Sequence, residues 1–370
     1  MPLRGWTRQT CGLARSLAQP LEFYYMEWLD QYFREVDKFP RPDWEEIYRV
    51  VEDKHMDIDQ NTLWCDIART WMGKIIRKLP EGYSIQESNN FMLVSSEDDK
   101  YNSLLLSFLE RTLTRILSTL KGIASDEGYG KYIVIVFNDI DDYYAYLSYF
   151  YDDDGVYGLS SGVYLNRGYG HFAFPHQELA YAESIASHEM THALVAHLPI
   201  PTWLNEGMAV TIEDMITGSS PLRMDNEQFS RHQAFWGSEE IQQFWSGEAF
   251  HRPDEGQELS YHLAQFAVNA LSKDYEAFTT FTNAASYEDG GEGAANNVFG
   301  GSLGGLIEQF FGDGEWAPEP GAWSNENSNN ARNADGCAAG SLKRYVLVEV
   351  LSVELLLSSA PSDDAWLQTQ

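Results

Sequence analysis

The sequence predicts an α+β fold: a small mixed sheet with flanking helices, then a helical half, with a helical extension in front. Three observations predict it. Residues 131–137, Lys-Tyr-Ile-Val-Ile-Val-Phe, form the apolar, β-branched run of a fully buried strand. Residues 162–166 and 171–174 read as two strands about a turn at 166–170. The stretches 101–120 and 177–198 repeat apolar residues at helical spacing, Leu105, Leu109, Leu113 and Leu117 marking one face of the first.

Composition bounds what such a chain does. Its 370 residues are 44% hydrophobic, enough for a sizeable core. The net charge of −31, from 56 acidic and 25 basic residues, leaves no basic field to neutralise phosphates, so nucleic acid is excluded as a partner. That acidity serves solubility or favours basic substrates. No apolar stretch is long enough for a membrane span. Cys11, Cys65 and Cys337 are odd in number and form no Cys-x-x-Cys, which indicates neither a disulfide framework nor a cysteine metal site. The first residues carry Arg4, Arg8 and Arg15 without the apolar core of a secretory signal, so a cytoplasmic location is expected.

Three segments follow in chain order. Residues 1–87 read as a helical N-terminal extension: aromatic-rich helix from about residue 21, a break at Phe39-Pro40-Arg41-Pro42, a helix carrying Trp44, Ile47, Val50 and Val51, and another from Asn61 to Leu79. Residues 88–312 form the main domain. It starts with a strand at 91–94, the 101–120 helix, the 131–137 strand and a helix at 143–150. The run Asp152-Asp153-Asp154 lacks the glycine and distal glutamate of a calcium loop and reads as a solvated turn. After the two strands come helices at 177–198 and 202–216, aromatic-rich helical sequence at 222–250, a helix around 258–268, and helical sequence from 275 to 311. Residues 313–370 are a Gly/Asn/Ser/Pro-rich linker and a short tail whose apolar run, 345–357, is too short and too charged to span a membrane.

The chemistry is concentrated in residues 187–207. His188-Glu189-Met190-Thr191-His192 is an HExxH motif, and on a helix its histidines lie about one turn apart on the same face. They can hold one metal ion between them, with Glu189 beside it as the base that takes a proton from water. Zinc suits imidazole nitrogen, and a catalytic zinc keeps three protein ligands and one open position. His197 points away from the His188/His192 face on a continuous helix. Glu206 fits better: Pro199 and Pro201 end the first helix, and a second beginning near Thr202 returns its carboxylate to complete a His2Glu set. A further carboxylate is expected to orient the histidines, with Glu183 and Glu213 both open to the role. His171 and His176 are not needed by the set.

The HExxH followed by Pro201-Thr202-Trp203-Leu204-Asn205-Glu206-Gly207-Met208-Ala209 resembles the gluzincins, the thermolysin- and aminopeptidase-like zinc peptidases. It is most similar to their compact bacterial peptidase MA-like branch, over about residues 88–311. The resemblance implies a zincin-like catalytic domain with one catalytic Zn2+ on His188, His192 and Glu206, and a peptide or protein substrate. It implies an edge strand, here within 162–174, that pairs with extended substrate. It also implies a donor to the oxyanion, a role for which Tyr261 matches, with His262 adjacent. The Gly-x-Met-Glu-Asn stretch that anchors a free amino terminus in aminopeptidase relatives is absent upstream of His188, so an endopeptidase is expected ahead of an aminopeptidase. The alternative from another class is a non-catalytic zinc-binding interaction protein, against which the intact Glu189 stands.

Overall fold

A computed structural model describes residues 26–150, 161–218 and 225–323. Asp37 and Lys38 both take positive φ, 49° and 64°, the two-residue turn that matches the right-handed twist of a hairpin. They join β1 (Phe33–Val36) to an antiparallel β2 (Phe39–Pro42), with Val36 opposite Phe39. The expected break at 39–42 is thus a buried strand. Counting from the closing pair, Pro40 and Pro42 fall at non-hydrogen-bonded positions, where their missing N–H removes no ladder bond. Then α1 (Trp44–Lys54) starts at Asp43, whose side chain accepts from the Glu46 amide, and α2 (Gln60–Ile76) starts at Asp59, which accepts from Thr62.

Five strands make the main sheet: β3 (Ser84–Glu87), β4 (Phe91–Ser95), β5 (Tyr132–Phe137), β6 (Val163–Leu165) and β7 (His171–Pro175), in the order β3-β4-β5-β7-β6. β4 and β7 flank β5 in parallel, while β3 and β6 run antiparallel at the two edges. Bordered on both sides and covered on both faces, β5 is buried throughout, which is why its sequence is unbroken apolar. Alternation divides the core. Phe91, Leu93, Val134, Val136, Phe172 and Phe174 cluster with apolar residues of α3 (Asp99–Thr119) and α5 (Leu179–Val195). Met92, Val94, Ile133, Ile135 and Ala173 cluster with α2 and α4 (Ile140–Leu147). Trp71, Met72 and Ile75 of α2 therefore share a core with the sheet, and the boundary expected after residue 87 falls between the paired strands β3 and β4.

Glu87 at the end of β3 anchors that junction. Burial alone would raise its carboxyl pKa. Arg69, with Nε and Nη2 at 2.5 and 2.8 Å, and Lys131 at 2.6 Å outweigh burial and hold it below the usual carboxylate range. A carboxyl depressed by folding contributes its full stability above its unfolded pKa, about 4.3, and loses it as pH falls through the folded value. Glu87→Gln is expected to cost about 2 kcal/mol at neutral pH. It should also flatten the acid limb of the stability–pH curve below about pH 5, as read by urea unfolding.

The second half is helical: α6 (Thr202–Thr217), α7 (Asn226–Phe235), α8 (Glu240–Ser246), α9 (Glu255–Leu271), α10 (Tyr275–Ala284), α11 (Glu292–Phe299) and α12 (Leu303–Phe311). α6 is the pivot, packed on α5 on one side and α9 on the other. At Gly207 an added Cβ would lie 2.5 Å from the Ala264 carbonyl oxygen. Only glycine allows α9 this close, and the approach fixes the neighbouring Glu206. The chain beyond Gly312, expected as a linker, stays on the body through residue 323. Trp245 Nε1 donates to the Trp316 carbonyl at 2.8 Å, Gln242 Nε2 to the Ala317 carbonyl at 2.8 Å, and Trp323 Nε1 to Gln242 Oε1 at 3.1 Å. The acidic run at 152–154 and the apolar run at 345–357 lie outside the described residues. No described helix is long and apolar enough to cross a membrane.

Candidate metal centre

α5 carries His188, Glu189 and His192 on a helix that ends at Val195, two prolines before α6 begins at Thr202. The short turn lays α6 against α5 and brings Glu206 onto the two histidines. One oxygen of Glu206, Oε2, stands 3.3 Å from His188 Nε2 and 3.6 Å from His192 Nε2. All three residues are buried, and their ligand atoms lie within 4.8 Å of one another. Two donors bound to one zinc at about 2.0–2.1 Å in tetrahedral geometry sit roughly 3.3–3.4 Å apart. The two Glu206 distances are close to that spacing, so this group could hold a small cation.

The other ring nitrogens are already committed. His188 Nδ1 lies 3.0 Å from Glu213 Oε2, and His192 Nδ1 lies 2.9 Å from Asn205 Oδ1. Both oxygens accept, so Nδ1 carries a proton in each ring and both Nε2 atoms are turned towards Glu206. His192 Nε2 is buried without a hydrogen-bond partner. An orphaned imidazole lone pair beside a carboxylate oxygen fits a metal ligand better than a packed core histidine. A buried His-His-Glu group of this kind could hold a metal ion.

Electrostatics without the ion agree. Burial opposes charge on His188, but Glu206 and Glu213 outweigh it and push its pKa up to about 10. Burial, aided by the nearby His188, pushes His192 down to about 4 and keeps it neutral. A proton on His188 thus stands where a cation would balance the carboxylates.

Glu189 is fully buried, and its Oε2 accepts the Tyr164 backbone N–H at 2.6 Å while Oε1 has no partner. Burial pushes this carboxyl up to about 8. Tyr164 sits in β6, the edge strand, so Glu189 closes on the side of that strand away from β7. The sheet edge expected within 162–174 is β6 itself.

His188, His192 and Glu206 are brought together, with Glu189 buried next to His188 in the chain. Tyr261 lies on α9, the helix packed against α6, with its ring edge-on to Phe250 at 5.2 Å between centroids. Of the two carboxylates left open, Glu213 is the one on His188; its Oε1 also accepts from Ser184 Oγ. Asn205 and the Tyr164 amide went unnoticed in the sequence, since neither carries a signal until α6 and β6 are placed. His171 is a core residue. Its Nδ1 donates to the Tyr169 carbonyl at 2.8 Å, so Nε2 accepts from the Tyr146 hydroxyl at 2.8 Å. His176 pairs with Glu97 at 3.1 Å, and His197 is exposed beyond the end of α5.

Glu213 is seven residues from Glu206 on α6, two turns along the same face, and orients the first histidine from there. Glu213→Ala is expected to weaken zinc binding about 10–100-fold, as measured by competition with a chelating dye. No protein-family model matches this chain, and no curated protein matches it.

Proposed function

We propose that this chain is a zinc-dependent metallopeptidase of gluzincin type, an endopeptidase in which His188, His192 and Glu206 hold one Zn2+. The observation that carries the reading is the convergence of Glu206 on two buried imidazoles, one with an unpartnered lone pair, with a buried carboxylate as the next residue. Zinc held there supplies a Lewis acid for the substrate carbonyl and makes water acidic enough to be deprotonated near neutral pH. Glu189 takes that proton and passes it to the leaving nitrogen. The Tyr164 N–H keeps one Glu189 oxygen in place and leaves the other for the chemistry. β6, the edge strand beside Glu189, is the proposed place for an extended peptide to add as a strand. Tyr261 is the proposed donor to the carbonyl oxygen as charge develops.

The test is the zinc-loaded full chain against a diverse peptide library, with products read by mass spectrometry. Internal cuts that require zinc support the endopeptidase. Stepwise loss from the amino end replaces it with an aminopeptidase. Stoichiometric zinc without any cleavage removes the catalytic reading and leaves a zinc-binding protein.

A further inference from the structure

Across the sheet from the candidate metal centre, β2 buries a second charge that has no counter-ion in contact with it among the described residues. Arg41 is 1% exposed. Its guanidinium lies among Tyr146, Tyr149 and Phe150, 4.5, 4.6 and 5.2 Å from their ring centroids. Nη2 donates to the Tyr146 carbonyl at 2.7 Å, while Nε and Nη1 are buried without an acceptor. Arginine does not lose its proton in a protein, so the charge cannot be relieved by neutralising the side chain. Aromatic faces lessen the cost of a buried guanidinium but accept no N–H bonds at these two nitrogens.

A small cavity of about 30 Å³ opens beside Arg41, lined also by Trp44, Trp71, Tyr149, Phe150 and Arg167. That is space for one small ion or water. Arg167 brings a second guanidinium, 5.1 Å from the Tyr149 ring centroid. A water there would satisfy N–H groups of Arg41 without offsetting its charge. Aromatic ring edges, positive in their quadrupole, are compatible with a negative occupant.

We propose that this cavity binds one small monovalent anion, a halide or a single carboxylate group, through the unpartnered N–H groups of Arg41. The size of the cavity sets the class: there is no room for a phosphate ester or a nucleotide. The occupant locks β2 and the end of α4 together, because Arg41 already ties these two elements through Tyr146.

The experiment uses the full chain exchanged into sodium methanesulfonate, then titrated with chloride, bromide or formate at constant ionic strength while the melting temperature is followed. A saturable rise is expected with all three anions, together with an anomalous bromide peak in the cavity of crystals grown with bromide. Arg41→Gln is expected to abolish the rise, and the bromide position in the unmutated protein stands independently should that variant not fold. No saturable response, or a bromide peak without one, overturns the proposal and leaves the cavity to water. The chain's own acidic run is the other source of carboxylate. A response that appears only once Asp152, Asp153 and Asp154 are changed to Asn also overturns a free anion as the occupant.

Discussion

Glu189→Gln is expected to lower peptide hydrolysis by about 10³-fold, within the range for loss of a general base, while zinc content and stability hold. The substitution is close to isosteric in a site with no space to spare, since Glu189 is fully buried. The Gln carbonyl oxygen can keep the Tyr164 amide that Glu189 Oε2 now accepts at 2.6 Å. The new NH2 takes the place of Oε1, an atom without a partner in the protein. Folding does not oppose the change: burial already disfavours the Glu189 carboxylate, and an uncharged amide relieves that cost. The proposed zinc ligands His188, His192 and Glu206 are untouched. What is lost is the ability to take up and return a proton, so the effect belongs in kcat rather than in metal affinity or substrate binding. Single-turnover cleavage, zinc content by mass spectrometry and melting temperature on the same preparation separate these quantities. Unchanged kcat in a variant that retains zinc would rule out Glu189 as the base.

The candidate metal centre is legible in the sequence because the residues that form it are spaced by helical geometry alone. His188 and His192 are one turn apart, and the proline pair between α5 and α6 forces the reversal that returns Glu206. β5 is legible for a similar reason: a strand covered on all sides has to be apolar along its whole length. The groups that orient the site are less so. Choosing Glu213 over Glu183 requires the way α5 and α6 pack, and an amide such as that of Tyr164 has no side-chain signature at all. The hairpin at 33–42 is obscured by two prolines that normally argue against a strand, and by an Asp-Lys turn that lacks the usual glycine. At residues 313–323, Gly and Pro suggest a linker, but Trp316 and Trp323 hold this segment to α8 by backbone and indole hydrogen bonds. In each case a long-range contact overrides a local composition that points elsewhere.

Removal of zinc is expected to lower the melting temperature by on the order of 10 °C. A ligand present at about a thousand times its Kd stabilises the native state by about 4 kcal/mol, and in a domain of this size each kcal/mol moves the midpoint by about 2–4 °C. The structure gives a reason for so large a dependence. Without a cation, α5 and α6 are held at their crossing by a buried carboxylate, one imidazole with an orphaned lone pair and one imidazolium shared between Glu206 and Glu213. Charges and lone pairs of this kind out of contact with water oppose folding. A divalent ion offsets them together, and its binding is expected to release the proton that His188 otherwise keeps. The control is Glu206→Ala, which leaves two ligands and takes away the carboxylate that brings them together. Its melting temperature is expected to be the same with zinc and with chelator, whereas the unmutated chain separates clearly between the two. Calorimetric scans in excess zinc and in excess chelator decide the matter. If the unmutated chain melts at one temperature in both, His188, His192 and Glu206 do not hold zinc tightly, and the peptidase built on them falls with it.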